Sequence, residues 1–188
     1  MTETTFWELI STSKRQTTEN KYEQTQFLTN YLSTQTEEEI FSFEEQFQKL
    51  YAKSYTSPLW CAAYVAMGGC SDDSFDYFRA WLIAQGKEVF ENAMQNPDSL
   101  VPVFDTLRDE GRGDYPGFER MLGVPLDAYI KKYNFADRSE GMDAYYTKLD
   151  KFPRIPFPEI VFNWEEDDTE SMKRICPDVF AKYWDDPF

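Results

Sequence analysis

The chain has 188 residues, of which 34 are acidic and 19 are basic, so its formal net charge is −15. This charge argues against unaided binding to a nucleic-acid backbone, which attracts basic proteins. The absence of histidine excludes histidine-dependent catalytic triads, histidine-ligated metal centres and histidine pH switches. Aromatic residues make up 18% of the chain, which is enough apolar bulk for a folded core.

Apolar side chains spaced three or four residues apart run through the first hundred residues, a period that a helix turns to one side. The sequence Thr36-Glu37-Glu38-Glu39 is a capping box, in which the first and last side chains bind backbone N–H groups at a helix start. Ser71 is predicted to cap a later helix whose first turn holds Asp72 and Asp73. The pattern predicts helices over 4–15, 20–33, 37–51, 58–67, 72–85 and 87–95.

The second half of the chain is less regular. Residues 105–117, with the sequence DTLRDEGRGDYPG, combine charges with three glycines and a proline, and they predict a mobile loop. Three prolines in the sequence KFPRIPFPEIVF, at 151–162, exclude a helix interior and predict an extended arm laid over the surface. Short helices are predicted over 118–122, 126–133 and 141–151.

Near the end of the chain, Asp168 or Thr169 is predicted to cap a helix that ends at Ile175, and Pro177 opens a last helix. No internal repeat and no useful period-2 run is present. The sequence therefore predicts an all-α fold: a single compact helical domain with a Pro-rich extended arm and a C-terminal helical tail. Its expected parts are a helical core over 1–100, a variable region over 101–162, and an acidic loop with the C-terminal helix over 163–188.

Three cysteines, Cys61, Cys70 and Cys176, are an odd number without CxxC spacing, which is typical of free thiols in a reducing compartment. Cys70 precedes a predicted helix start, so it is the candidate reactive thiol, and a small buried hydrophobic residue is the alternative interpretation. The first thirty residues lack the apolar segment of a signal peptide, and no run approaches a membrane span. These features predict a cytoplasmic protein without membrane association.

Arg79 lies in an otherwise apolar predicted helix, so its charge must be paired or exposed. One interpretation is an ion pair with Asp76 or Asp73. The alternative is a site for a nucleotide or another phosphorylated group, bound by the guanidinium, by aromatic faces and by backbone N–H groups. No Gly-rich phosphate-binding motif supports it. The candidate ligand-binding residues are Trp60, Tyr64, Gly68, Gly69, Asp72, Asp73, Tyr77, Arg79 and Trp81.

Carboxylates offer a second candidate site. Asp72, Asp73 and Asp76 are potential oxygen ligands for Mg²⁺ or Ca²⁺, and the acidic run 165–168 would complete the shell. Helix capping is the favoured explanation for the first three, because carboxylates stabilise a helix N-terminus. The run 165–168 is predicted to be a solvated loop that a cation or a basic partner orders. We predict no cofactor and no catalytic residue.

The segment LWCAAYVAMGGCSDDSFDYFRAWLIAQGKEVFENAMQNPDSL, at 59–100, resembles the bacterial domain of unknown function 4240 family. TFWELI at 5–10, EEEIFSFEEQF at 37–47, and NWEEDD with PDVFAKYW near the C-terminus are similar to the flanks of that family. The resemblance covers 1–100 and 163–184, whereas 101–162 departs from it. Some relatives are similar to the C-terminal part of regulators that also carry a WGR domain, which implies a module that serves other proteins.

Together these observations predict a non-enzymatic, acidic interaction module that neutralises or regulates a basic partner, such as a toxin or a nucleic-acid-binding protein. A charge of this size accelerates encounters with basic surfaces. The alternative is a small-ligand-binding protein or an enzyme that uses carboxylates and Arg79 around residues 68–79.

Overall fold

The computed structural model describes residues 1–17, 20–109 and 115–188. Over these residues the chain forms twelve α-helices and one 3₁₀ turn, Pro97–Leu100, and no strand, which confirms the predicted all-α class. The helices are, in chain order, α1 (Glu3–Gln16), α2 (Lys21–Ser33), α3 (Glu37–Lys53), α4 (Ser57–Met67), α5 (Asp72–Ala84), α6 (Lys87–Gln95), α7 (Val101–Asp109), α8 (Glu119–Leu122), α9 (Val124–Tyr133), α10 (Arg138–Leu149), α11 (Thr169–Ile175) and α12 (Pro177–Tyr183).

The chain divides into two compact units, and each unit is built from two separate stretches of sequence. The first unit comprises Met1–Ala52 and Glu119–Pro156, and the second comprises Lys53–Phe118 and Phe157–Phe188. Helices α1–α3 and α8–α10 form the first unit, while α4–α7, α11 and α12 form the second. The expectation of a single domain stays a prediction.

Side-chain caps begin several of these helices where the sequence predicts them. The Ser71 hydroxyl accepts a hydrogen bond from the N–H three residues later, at 3.3 Å, and begins α5. The Thr36 hydroxyl accepts from the Glu39 N–H at 3.2 Å while the Glu39 carboxylate accepts from the Thr36 N–H at 3.0 Å, so the capping box is formed. Asp168 caps α11. Each cap satisfies backbone donors that have no partner inside the helix.

In the first unit, α2 packs against α9, and α9 also contacts α10. Tyr31 lies three residues after Leu28, at the spacing of an apolar helical stripe, but it is 41% exposed. The buried side chains of α2 include Gln24, Leu28 and Leu32, which repeat every four residues along one face of the helix. Other buried residues of this unit include Phe6, Ile10, Ile40, Phe43, Phe47, Ala128 and Tyr129.

In the second unit, α4 is buried on most faces, as its apolar composition predicts. It contacts α5, α11, α12 and the 3₁₀ turn. A continuous series of buried aromatic rings in contact crosses the unit, so these rings form part of its core. The series consists of Trp60, Phe75, Phe78, Trp81, Phe104 and Tyr183.

The prediction of a loop over 105–117 is wrong for its first five residues, which are helical. Helix α7 continues to Asp109, and 110–114 lie outside the described residues. Phe104 is fully buried, and the Arg108 guanidinium lies 4.9 Å from each of two aromatic rings near the C-terminus. These contacts come from a distant part of the chain, so the local composition does not reveal them.

The later elements follow the predictions closely. The short helices α8 and α9 are present, and α10 begins at Arg138, earlier than expected, because the Asp137 side chain caps it. Residues 153–164 form neither helix nor strand, as the prolines predict. None of the helices in the described parts of the chain has the length and apolar character needed to cross a membrane.

Candidate functional site

Arg79, on α5, is 1% exposed. Its guanidinium forms an ion pair with the carboxylate of Asp76, one helical turn earlier. The Asp76 side chain is 42% exposed, so the ion pair consists of a buried guanidinium and a carboxylate that contacts solvent. This confirms the ion-pair interpretation of Arg79.

Three aromatic rings also surround the Arg79 guanidinium. Its Cζ atom lies 4.9 Å from the ring centre of Tyr55, 5.2 Å from that of Phe75 and 5.4 Å from that of Phe157. Cation–π contacts of this kind stabilise a guanidinium that has lost its water. None of the three rings belongs to the sequence-based candidate set, and those of Tyr55 and Phe157 lie outside its range, 60–81.

The two tryptophans of the candidate set pack against other rings. Trp60 stacks on Phe75, with ring centres 4.4 Å apart, and its Nε1 donates a hydrogen bond to the Cys70 carbonyl at 3.0 Å. Trp81 stacks on Phe104, with ring centres 5.7 Å apart. Both side chains therefore have a role in the core of the second unit.

Phe162, the last residue of the arm predicted over 151–162, and Trp164, just after it, lie against two α4 residues of the predicted anion site. The Phe162 ring lies 5.3 Å from that of Trp60, and the Trp164 ring lies 5.2 Å from that of Tyr64. The remaining tyrosine of the candidate set, Tyr77, is half-buried. Trp60 and Tyr64, two residues of the predicted anion site, are therefore in contact with aromatic side chains of the chain itself.

A serine at the start of α4 holds the two residues that follow this arm. The Ser57 hydroxyl donates to Oδ1 of Asn163 at 2.6 Å and accepts from the Asn163 N–H at 3.3 Å. The Ser57 carbonyl accepts from Nε1 of Trp164 at 3.1 Å. Sequence reasoning missed this attachment, since more than a hundred residues separate its partners.

The backbone N–H groups that would bind an anion in the predicted site already donate hydrogen bonds to carbonyl groups of the protein. Gly68 has a φ of 66°, a left-handed conformation that ends α4. Its N–H donates to the Val65 carbonyl, and the N–H of Gly69 donates to the Tyr64 carbonyl at 2.9 Å. Both N–H groups therefore complete the helix cap.

Asp72 and Asp73 lie exposed in the first turn of α5, where the helix dipole favours them. The acidic run 165–168 is also exposed. Among the described residues there is no group of three or more Asp, Glu, Cys or His side chains that would hold a metal ion.

The three thiols are free, as predicted. Cys61 and Cys176 are fully buried, with their sulfur atoms 3.7 Å apart. Cys70 is partly exposed, and burial together with the carboxylates of Asp72 and Asp76 raises its pKa to about 12. Cys70 is therefore a protonated thiol at neutral pH, which disfavours it as a nucleophile.

The first unit contains a cavity of about 280 Å³ that sequence reasoning missed. Residues of α3 and residues at and after the end of α10 line it. They include Phe41, Glu44, Gln48, Leu149, Phe152 and Ile155.

The Glu44 carboxylate on the cavity wall is 7% exposed, and its Oε1 accepts a hydrogen bond from Nε2 of Gln48 at 2.9 Å. Burial raises the pKa of Glu44 above its ordinary value. The buried Tyr145 hydroxyl faces the same carboxylate without reaching full hydrogen-bond geometry. A signal exists in the sequence, because Glu44 interrupts the apolar stripe between Ile40 and Phe47.

Comparison with known families identifies a match over most of the chain. The sequence model described as "Protein of unknown function (DUF4240)" matches residues 1–131. The matched range contains all of 1–100 and does not reach 163–184. It also continues to residue 131, within α9, so the expectation that the resemblance stops at residue 100 is wrong. No curated protein and no solved structure matches the chain significantly.

Proposed function

The chain belongs to the DUF4240 family, whose description assigns no activity, and we propose that it is an acidic interaction module for a basic protein partner. In this proposal it neutralises or regulates that partner in the cytoplasm. The observation that carries the proposal is the surface of residues 157–168, which we call the acidic arm.

The acidic arm exposes large apolar side chains. Phe157 is 48% exposed, Val161 is 86% exposed and Phe162 is 50% exposed. Single exposed apolar residues are ordinary, but a group of them in one short segment is typical of an interaction surface. An apolar centre of this kind supports docking of another protein.

Carboxylates accompany these apolar side chains. Glu159 and the whole run 165–168 are exposed, and the acidic arm contains no lysine or arginine. A segment that combines Lys or Arg with apolar side chains would complement both properties. The net charge of −15 adds a longer-range attraction that speeds the encounter.

The alternative, a ligand site around Gly68 to Arg79, has less support. The Arg79 charge is already paired with Asp76, and the N–H groups of Gly68 and Gly69 are used in the cap of α4. The cytoplasmic part of the proposal is supported by the three free thiols, which a reducing compartment maintains.

Fluorescence anisotropy with a labelled peptide of alternating Arg and Leu tests the proposal. The double variant Glu165→Lys/Glu166→Lys changes the acidic arm, and Glu140→Lys/Asp143→Lys on α10 is a matched control with the same change in net charge. We expect the first variant to weaken binding about tenfold, which is about 1.4 kcal/mol, and the control to weaken it less than about twofold.

A second variant separates apolar docking from charge attraction. Phe162→Ser leaves the charge unchanged and is expected to weaken peptide binding, because it removes an exposed ring of the acidic arm. Equal losses in the two charge variants, together with full binding by Phe162→Ser, would refute the assignment of the docking surface to the acidic arm.

A further inference from the structure

The cavity of the first unit supports an inference that does not depend on the basic partner. We propose that this cavity binds a small organic cation, an amine with an apolar body, whose ammonium group pairs with the carboxylate of Glu44.

The charge balance of the cavity wall is the first argument. Glu45 pairs with a lysine at 2.8 Å, and Asp150 pairs at 3.3 Å with Arg154, which also lines the cavity. Glu44 is the most deeply buried of the three, yet its hydrogen bond comes from the neutral amide of Gln48, and within the described residues no Lys or Arg pairs with it. A buried carboxylate without a cation is costly, and a ligand ammonium would supply the missing charge.

The aromatic wall is the second argument. The rings of Phe41 and Phe152 stack with their centres 5.2 Å apart, and both line the cavity beside Glu44. Leu149 and Ile155 add aliphatic surface. Aromatic faces next to a carboxylate favour an organic cation, because the rings attract positive charge while they cover the apolar body.

The cavity volume sets the size of the ligand. A volume of about 280 Å³, at about 30 Å³ for each water-sized atom, accommodates about nine non-hydrogen atoms. Phenethylammonium is a cation of about that size, and phenethyl alcohol is its neutral counterpart. An anion is disfavoured, since it would face the Glu44 carboxylate.

Isothermal titration calorimetry on the full chain tests the proposal with these two compounds. We expect saturable binding of phenethylammonium and at least about tenfold weaker binding of phenethyl alcohol, because only the amine pairs with Glu44. Glu44→Gln is expected to weaken amine binding at least about tenfold. Glu38→Gln is the matched control, because Glu38 is an exposed residue of α3 outside the cavity wall, and its amine affinity should stay within about twofold of the wild type.

Several results overturn the proposal: no saturable binding of the amine, equal affinities for the amine and the alcohol, or an unchanged amine affinity in Glu44→Gln. If Glu44→Gln does not fold, Phe152→Ala replaces it, because this ring is 42% exposed and its removal is tolerable. An unchanged amine affinity in Phe152→Ala then overturns the proposal as well.

Discussion

Replacement of Ser57 by alanine tests whether the start of α4 holds the acidic arm in place. The change removes one hydroxyl, and with it the two hydrogen bonds that this hydroxyl makes with Asn163. The Ser57 carbonyl still accepts from the Trp164 side chain, since that bond involves the backbone. The arm is therefore expected to loosen at Asn163 without leaving α4.

The magnitude follows from the two lost bonds. A net contribution of about 0.5–1.5 kcal/mol for each bond gives about 1–3 kcal/mol in total. Asn163 is exposed, so water replaces part of what it loses, whereas Ser57 is 6% exposed. We therefore expect Ser57→Ala to lower the free energy of unfolding by about 1–2 kcal/mol, in the lower half of that interval.

Urea denaturation measures this free energy, and hydrogen exchange of the arm locates the change. Ser33→Ala is a suitable control, because its hydroxyl donates only to the Asn30 carbonyl of its own helix, at 2.8 Å in a solvated position. The control is expected to stay within about 0.5 kcal/mol of the wild type. If Ser57→Ala is as stable as this control and exchange at Asn163 is unchanged, the attachment does not stabilise the arm.

Three further perturbations have defined outcomes. Ser71→Ala is expected to lower the free energy of unfolding by about 0.5–2 kcal/mol in urea titrations, because α5 loses its side-chain cap, and an unaltered midpoint would contradict this. Ellman's reagent is expected to modify Cys70 slowly in the folded protein, since its pKa is raised to about 12, and to reach Cys61 and Cys176 only after denaturation. Rapid modification of either buried thiol would exclude the packing seen here. Glu44→Gln is expected to raise the Tm at neutral pH and to lose this advantage as the pH falls towards the ordinary value of 4.5. Burial raises the folded-state pKa of Glu44, so the wild type loses stability as the pH rises from that ordinary value through the raised one. A Tm difference that does not shrink on acidification would argue against a buried ionised Glu44.

Most of the helical framework is predictable because its signals are local. The Thr36 and Ser71 caps act within one helical turn, and the Arg79–Asp76 pair spans three residues on one helix. Such patterns are complete within a short window of sequence. Helix α7 shows the limit, since Arg108 is held by rings far along the chain.

The candidate sites are less predictable for the same reason. Two of the rings around Arg79, those of Tyr55 and Phe157, lie about a hundred residues apart, and only the fold brings them together. The cavity likewise joins α3 to residues after α10. The apolar stripe of α3 shows that Glu44 faces inward, but it does not show which residues complete the wall.

The interleaving of the two units has a consequence for how the chain is made. The first unit needs residues up to Pro156, and the second needs α11 and α12. Domains commonly fold from the N-terminus during synthesis. Here α1–α3 cannot complete their packing until α9 and α10 have been synthesised. The two stretches of the second unit are synthesised before and after those helices. A nascent chain that stops at residue 131, the end of the family match, therefore leaves both hydrophobic cores incomplete.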